Sequence, residues 1–275
     1  MSVPFPDGGC QADFAACRGC YRQKSQGRRP LSEKARSSTR GFAEVPKLPI
    51  GGSVKPQLLI SMSQFFEIHP QNPQPRLLKV AAQILHTGGI LAVPTDSSYA
   101  FVCHLDDKSA AENLRQLRSL NDKHLLTLLC RDLSELAHYA RVDNRQYRLL
   151  KLGTPGPYTF ILEATKEVPR RLSSPSRRTI GLRVPDHPIT QALLEYFGQP
   201  LLATTLIPAG ESDPLNDAND IRGRYEKHIA AVIDAGPATM QPTTVIDLSS
   251  EPPRLLRQGA GLLSQLGLSA QELTG

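Results

Sequence analysis

Residues 62–258 fall into short blocks whose apolar spacing switches between the helical and the strand period. Leu77, Leu78, Ala81, Ile84 and Leu85 mark one helical face, and the Gly88-Gly89 pair fits the left-handed turn that ends it. Ile90-Leu91-Ala92-Val93 then reads as a buried strand. Pro94, which has no N–H, ends that strand and turns the chain outward. Tyr99–Leu105 is the expected partner strand, and Asp106 or Asp107 caps a helix bearing Ala110, Ala111, Leu114 and Leu117. Leu125–Cys130 is a further buried strand. Asp132–Ala140 and Asp143–Lys151 are two short helices, each opened by an aspartate. Tyr158–Glu163 and Thr179–Val184 are strands, separated by Arg170, Arg171, Arg177 and Arg178. Pro188 helps start a helix that runs through Phe197 and stops at Gly198. Leu201–Thr205 reads as a strand, Asp217–Lys227 as a polar helix, and Ala231–Ile233, Thr244–Leu248 and Arg254–Leu256 as strands. Interleaved strands and helices, with two strand pairs close enough for antiparallel pairing, predict a single α/β domain: a twisted mixed sheet with flanking helices.

The first 61 residues break this pattern. They are rich in Arg, Ser, Pro and Gly and hold no sustained period, so they bury too little apolar surface to offset the entropy of ordering. The expected division is a disordered basic extension over 1–61, or a stretch ahead of the true start at Met62, then a domain over 62–260 and a tail over 261–275. Charge supports the first boundary. Ten Lys/Arg against four Asp/Glu in residues 1–61 account for the whole formal net charge of +6. The remainder carries 22 of each sign, so a general affinity of the body for nucleic acid does not follow from charge. Cys17-x-x-Cys20, with Cys10 upstream, lacks a fourth ligand at zinc-site spacing. Five cysteines with no secretory signal point to reduced thiols in the cytoplasm. No apolar run reaches the roughly 18–20 residues a membrane span requires.

Neither a P-loop nor a Rossmann glycine turn is present, and the seven histidines form no triad or metal-ligand spacing. What remains is a series of polar or cationic residues at strand ends: Ser97, Thr159, Arg183, Thr205, Thr243, Thr244 and Arg257. In open α/β sheets such ends are where ligands bind. Arg183 is the sharpest of them. Set between Leu182 and Val184, it points to one face of a strand while its neighbours point to the other. It needs either an anionic ligand or a structural carboxylate, because a buried unpaired charge is costly.

Five motifs in order give this pattern a family. GGILAVPTDSSYAF, TPGPYTFIL, TIGLRVPDHP, PTTVIDL and LLRQGAG, spread over roughly 62–260, resemble the YrdC-like threonylcarbamoyl-AMP synthases, most closely their YciO branch. The resemblance implies a mixed sheet carrying a concave, positively lined cavity. It implies an enzyme that condenses L-threonine, bicarbonate and ATP into threonylcarbamoyl-AMP with release of pyrophosphate, the product serving tRNA threonylcarbamoyladenosine modification. Magnesium is expected with the ATP, held mostly by substrate and water. By resemblance, Ser97, Thr159, Arg183, Thr243 and Thr244 fall at substrate-binding positions. Arg118, Lys123, Thr205 and Arg257 fall at nucleotide-binding ones. In that reading Arg183 has no protein partner until a ligand arrives. No catalytic side chain is assigned, since cations and oriented hydroxyls around the phosphates supply the catalysis.

The chain departs from the family at Arg118-Ser119-Leu120-Asn121-Asp122-Lys123-His124-Leu125-Leu126, where the family's second cation is Leu120 and its third is His124. Lys123 is one residue away and is the expected compensation. The family's S-A-N motif is Thr205-Leu206-Ile207, which removes an asparagine's hydrogen bonds. These changes favour a competing class: a YciO-like protein that binds double-stranded RNA or tRNA in the cavity with weak or no synthase activity. A carbamoyl transferase acting on another amine is a third reading, and tRNA-modification proteins are candidate partners.

Overall fold

The computed structural model describes residues 62–269 apart from 122, 123, 125 and 175–177. The elements follow as β1 (Gln64–Glu67), α1 (Pro75–His86), β2 (Leu91–Val93), β3 (Ala100–His104), α2 (Lys108–Leu117), β4 (Thr127–Leu129), α3 (Leu133–Tyr139), β5 (Ala140–Arg141) and α4 (Asn144–Gly153). Next come β6 (Tyr158–Ala164), β7 (Thr179–Arg183), α5 (Pro188–Phe197), β8 (Leu201–Thr205), α6 (Ala218–Tyr225), β9 (Ala231–Asp234), β10 (Thr244–Asp247) and β11 (Arg254–Arg257). A 3₁₀ turn, Leu263–Leu266, closes the described chain.

Helix starts follow the aspartates. Asp107, Asp132, Asp143 and Asp217 each accept backbone N–H bonds at an N-cap, and Asp143 with Gln146 completes a capping box. Gly198 ends α5 in the left-handed conformation at φ 76°.

The eleven described strands form one mixed sheet, ordered β1-β9-β2-β3-β8-β4-β7-β6-β10-β11, with β5 paired to β6 off that path. β2 runs antiparallel to β3 and β6 antiparallel to β7, whereas β4 and β7 are parallel. Strand alternation gives the two faces different fates. Leu128, Phe160, Leu162, Ile180, Leu182, Leu202 and Ile246 point into a core shared with α2, α3, α4 and α6. On the opposite face, α1 and α5 cover β9, β2, β3 and β8 through Leu78, Leu85, Leu193 and Leu194. That second layer reaches β4 only at Leu129 and includes no residue of β7, β6 or β10 among those described.

Three elements escaped the sequence pattern. β1 is a four-residue edge strand parallel to β9, and β5 has two residues. In the tail, Leu266 is buried, and the Tyr158 hydroxyl bonds the Leu262 carbonyl at 2.9 Å and Gln265 Oε1 at 2.6 Å. Residues 1–61, with Cys10, Cys17 and Cys20, lie outside the described residues, as do Lys123 and Arg177.

Candidate functional site

The uncovered part of the sheet holds a cavity of about 320 Å³. Its wall is built by register. Thr127 pairs with Gly181 and Ala203, Ile161 with Gly181, Thr159 with Val245, and Ala100 with Thr205, so one row of side chains crosses six strands on the same face. Gly181 sits in the middle of that row. A Cβ there would stand 3.2 Å from Thr127 Oγ1 and 3.4 Å from Thr159 Cγ2, so its absence keeps the floor low. Hydroxyls supply most of the wall's polarity, from Thr95, Ser98, Thr127, Thr159, Thr204, Thr205 and Thr243. Arg183 and Arg257 supply its fixed positive charge, and His124 lies at the margin.

The two arginines are held differently. Arg183 is 6% exposed and forms an ion pair with the Asp96 carboxylate, while its Nη1 donates to Ser97 Oγ at 3.0 Å. The second guanidinium nitrogen also faces Thr95 Oγ1 at 3.5 Å. The turn that brings these acceptors is itself tied down: Thr95 Oγ1 donates to the Ser98 carbonyl at 2.6 Å, and Thr239 Oγ1 donates to the Ser97 carbonyl. Burial pushes the Arg183 guanidinium below its usual pKa and Asp96 opposes that shift. Arg257, from the edge strand β11, donates through Nε to the Thr243 carbonyl at 3.0 Å and through Nη2 to Thr243 Oγ1 at 3.1 Å. Thr243 Oγ1 in turn meets Thr159 Oγ1 at 3.0 Å. Burial, then the charge of Arg183, lowers the Arg257 pKa.

The residues singled out from sequence divide accordingly. Thr159, Arg183, Thr205, Thr243 and Arg257 stand together on the wall. Ser97 lies behind it, 1% exposed, with its hydroxyl spent on Arg183. Thr244 faces away; its Oγ1 donates to the Gly261 carbonyl at 2.6 Å and accepts from Gly259 N–H at 2.9 Å. Arg118 donates to the Ile207 carbonyl and so ties the end of α2 to the segment after β8; it does not line the wall, though its charge reaches His124 at the margin. Leu120 packs against the core.

One expectation is overturned. Arg183 does have a protein partner in the absence of ligand, namely Asp96. β2 and β7 are separated in the sheet by β3, β8 and β4, so only the path of the turn after Pro94 brings that carboxylate over β7. Sequence reasoning also passed over Thr204, although the hydroxyl-rich strand end Thr204-Thr205 carried its signal.

Comparison with known proteins gives concordant matches. The Sua5/YciO/YrdC family model, described as telomere recombination, matches residues 83–259. The uncharacterized protein YciO of Escherichia coli K12 is 51% identical over 200 residues, which is 73% of this chain and 97% of that protein. Its crystal structure superposes with a TM-score of 0.73, covering 74% of this chain and all of that one. The threonylcarbamoyl-AMP synthase of Mus musculus is 28% identical over 179 residues, 62% of each chain. Sua5 of P. abyssi, solved in complex with L-threonine, is 25% identical with a TM-score of 0.69, covering 74% of this chain and 60% of that one.

Proposed function

The chain belongs to the Sua5/YciO/YrdC family, and from that premise we propose that it condenses L-threonine, bicarbonate and ATP into threonylcarbamoyl-AMP, releasing pyrophosphate. The observation that carries this reading is the cavity wall, where Arg183 and Arg257 stand among threonine hydroxyls on one sheet face. The chemistry needs two steps. The threonine amine, having lost its proton, adds to bicarbonate to give a carbamate and water. A carbamate oxygen then attacks the α-phosphorus of ATP, the bond to the β-phosphate oxygen breaks, and pyrophosphate leaves. Charge builds on phosphate oxygens throughout, so preset cations and hydroxyl donors lower the barrier without a protein nucleophile. Magnesium enters as part of the substrate, on the triphosphate. A mouse relative named threonylcarbamoyl-AMP synthase and the P. abyssi Sua5 solved with L-threonine support the substrate class.

A second reading, a double-stranded RNA- or tRNA-binding protein with weak or no synthase activity, draws on one specific feature. Leu120 packs into the core and Arg118 is spent on the Ile207 carbonyl, so the described part of segment 118–126 sends no arginine to the wall. The deciding experiment is mass spectrometry of the full chain incubated with ATP, L-threonine, bicarbonate and magnesium. The expected result is an ATP- and bicarbonate-dependent threonylcarbamoyl-AMP mass. Its absence, together with tight binding of tRNA, would replace the synthase reading with the second one.

A further inference from the structure

Three ionisable side chains line the cavity among the described residues: Arg183, Arg257 and His124. Asp96 matches the charge of Arg183, and Arg257 bonds only the carbonyl and hydroxyl of Thr243 among those residues. The wall itself therefore offers about one uncompensated positive charge, whereas a polyphosphate brings several negative ones. His124 is the wall group whose ordinary pKa lies nearest neutrality, and so the one able to add charge there.

Its backbone is pinned. The His124 N–H donates to the Asn121 carbonyl at 3.0 Å, and Arg115 Nη1 donates to the His124 carbonyl at 2.9 Å and the Asn121 carbonyl at 3.3 Å. His124 lines both this cavity and a second cleft of about 260 Å³. Arg115 and Arg118 face it from α2 and its C-cap, and Arg257 from β11; Arg183 shares the first cavity. From the second cleft come Lys108, Arg170 and Arg171, with Glu112 as its one carboxylate among the described residues, 3.7 Å from Lys108. Cations thus outnumber carboxylates on each side of the ring.

We propose that His124 is a polyphosphate ligand that binds as the imidazolium, taking up one proton as the anion enters. The proposal rests on the nucleotide reading of the cavity. With protein groups alone around it, burial and then the charges of Arg118, Arg115 and Arg257 hold the His124 pKa below 6.5. An anion on the wall reverses the sign of that local field and raises it. The linkage sign follows: between the free and bound pKa values affinity rises as pH falls, by up to about tenfold per pH unit, and outside that window this contribution is flat.

The test is calorimetric titration of the full chain with pyrophosphate, magnesium-free, at pH 8, 7 and 6 in two buffers of different ionisation enthalpy. Wild type is compared with His124→Gln and His124→Lys. Protonation of pyrophosphate itself is common to all three. The expected result is that His124→Gln loses about tenfold in affinity at pH 6 and takes up one proton fewer. His124→Lys keeps its affinity at pH 6 and loses the same proton. Melting temperatures within about 2 °C of wild type exclude a folding cause. The His124 ring resonances should also titrate at higher pH with pyrophosphate bound than without it. Equal proton uptake in wild type and His124→Gln overturns the proposal. If threonylcarbamoyl-AMP is made while the uptake is equal, the nucleotide reading survives and only His124 is lost. If the uptake differs but no adenylate forms, His124 stands and the synthase reading falls. Failure of pyrophosphate to bind at any of the three pH values overturns both.

Discussion

Arg183 and Arg257 line one cavity but belong to two different kinds of corner. At the β7 corner, a buried guanidinium is matched by Asp96 and braced by Ser97 and Thr95, all from the turn after Pro94. At the β11 corner, the guanidinium leaves an edge strand and rests on one threonine. The first corner resembles a piece of core that reaches the cavity; the second resembles a surface residue folded inward. A charge neutralised inside the protein is costly to strand and offers a ligand mainly hydrogen bonds. A charge bonded only to neutral oxygens contributes less to the fold and leaves its net charge for the ligand.

The largest test of that contrast is Arg183→Ala. Removing one partner of a buried pair strands the Asp96 carboxylate, one of whose oxygens, Oδ2, already lacks a hydrogen-bond partner among the described residues. The expected cost is about 3–5 kcal/mol of stability, read as a large drop in the denaturant midpoint. Asp96→Ala should cost a similar amount, and the double variant less than the sum of the two, because it removes both charges together. Additive losses would mean the pair does not couple, and the comparison of corners would fail at its first half.

Arg257→Ala should do the reverse. No carboxylate is orphaned, so the denaturant midpoint should move little. Affinity for ATP should fall by about 10- to 100-fold, since a charge-assisted contact is worth roughly 1.5–3 kcal/mol. An unfolding effect as large as that of Arg183→Ala, with affinity per folded molecule unchanged, would make both corners structural.

These corners also show which parts of the molecule sequence alone could reveal. Elements were legible where the cause is local: aspartates at N-caps, Gly198 in its left-handed turn, Pro94 at the end of β2. The wall was legible too, because strand alternation and hydroxyls at strand ends are local properties, and five of the residues drawn from them meet there. The Asp96–Arg183 pair was not, since it depends on a turn crossing three intervening strands. Nor was the role of Thr244, which is fully buried and turned away from the wall. Neighbouring threonines 243 and 244 look equivalent in sequence, but at a strand start they point to opposite faces, and only the position of the Gly259–Gly261 loop decides what the second one meets.

That pair of threonines gives the third test. Thr244→Val leaves the Gly259 N–H without its bond to Thr244 Oγ1 and should cost about 1–3 kcal/mol in stability. Ligand affinity per folded molecule should hold, because its hydroxyl is turned away from the wall. A selective loss of affinity would show that the loop from Gly259 to Gly261, and not Thr244 alone, shapes the site.

Thr243→Val should have the smallest effect and the sharpest meaning. Its hydroxyl accepts from Arg257 Nη2 and meets Thr159 Oγ1, both on the cavity wall, so valine removes the two contacts at once. Arg257 nevertheless keeps its bond from Nε to the Thr243 main-chain carbonyl, which the substitution leaves in place. The guanidinium should therefore stay near the wall with a looser fork, and Thr159, partly open to the cavity, can turn its hydroxyl toward ligand or solvent. The expected result is a stability loss of about 1 kcal/mol or less and an ATP affinity a few-fold weaker, in the range of one neutral hydrogen bond. Combining it with Arg257→Ala separates two roles for the hydroxyl. If Thr243 acts by holding Arg257, the double variant should bind ATP no worse than Arg257→Ala alone; if the losses add, the Thr243 hydroxyl makes a ligand contact of its own.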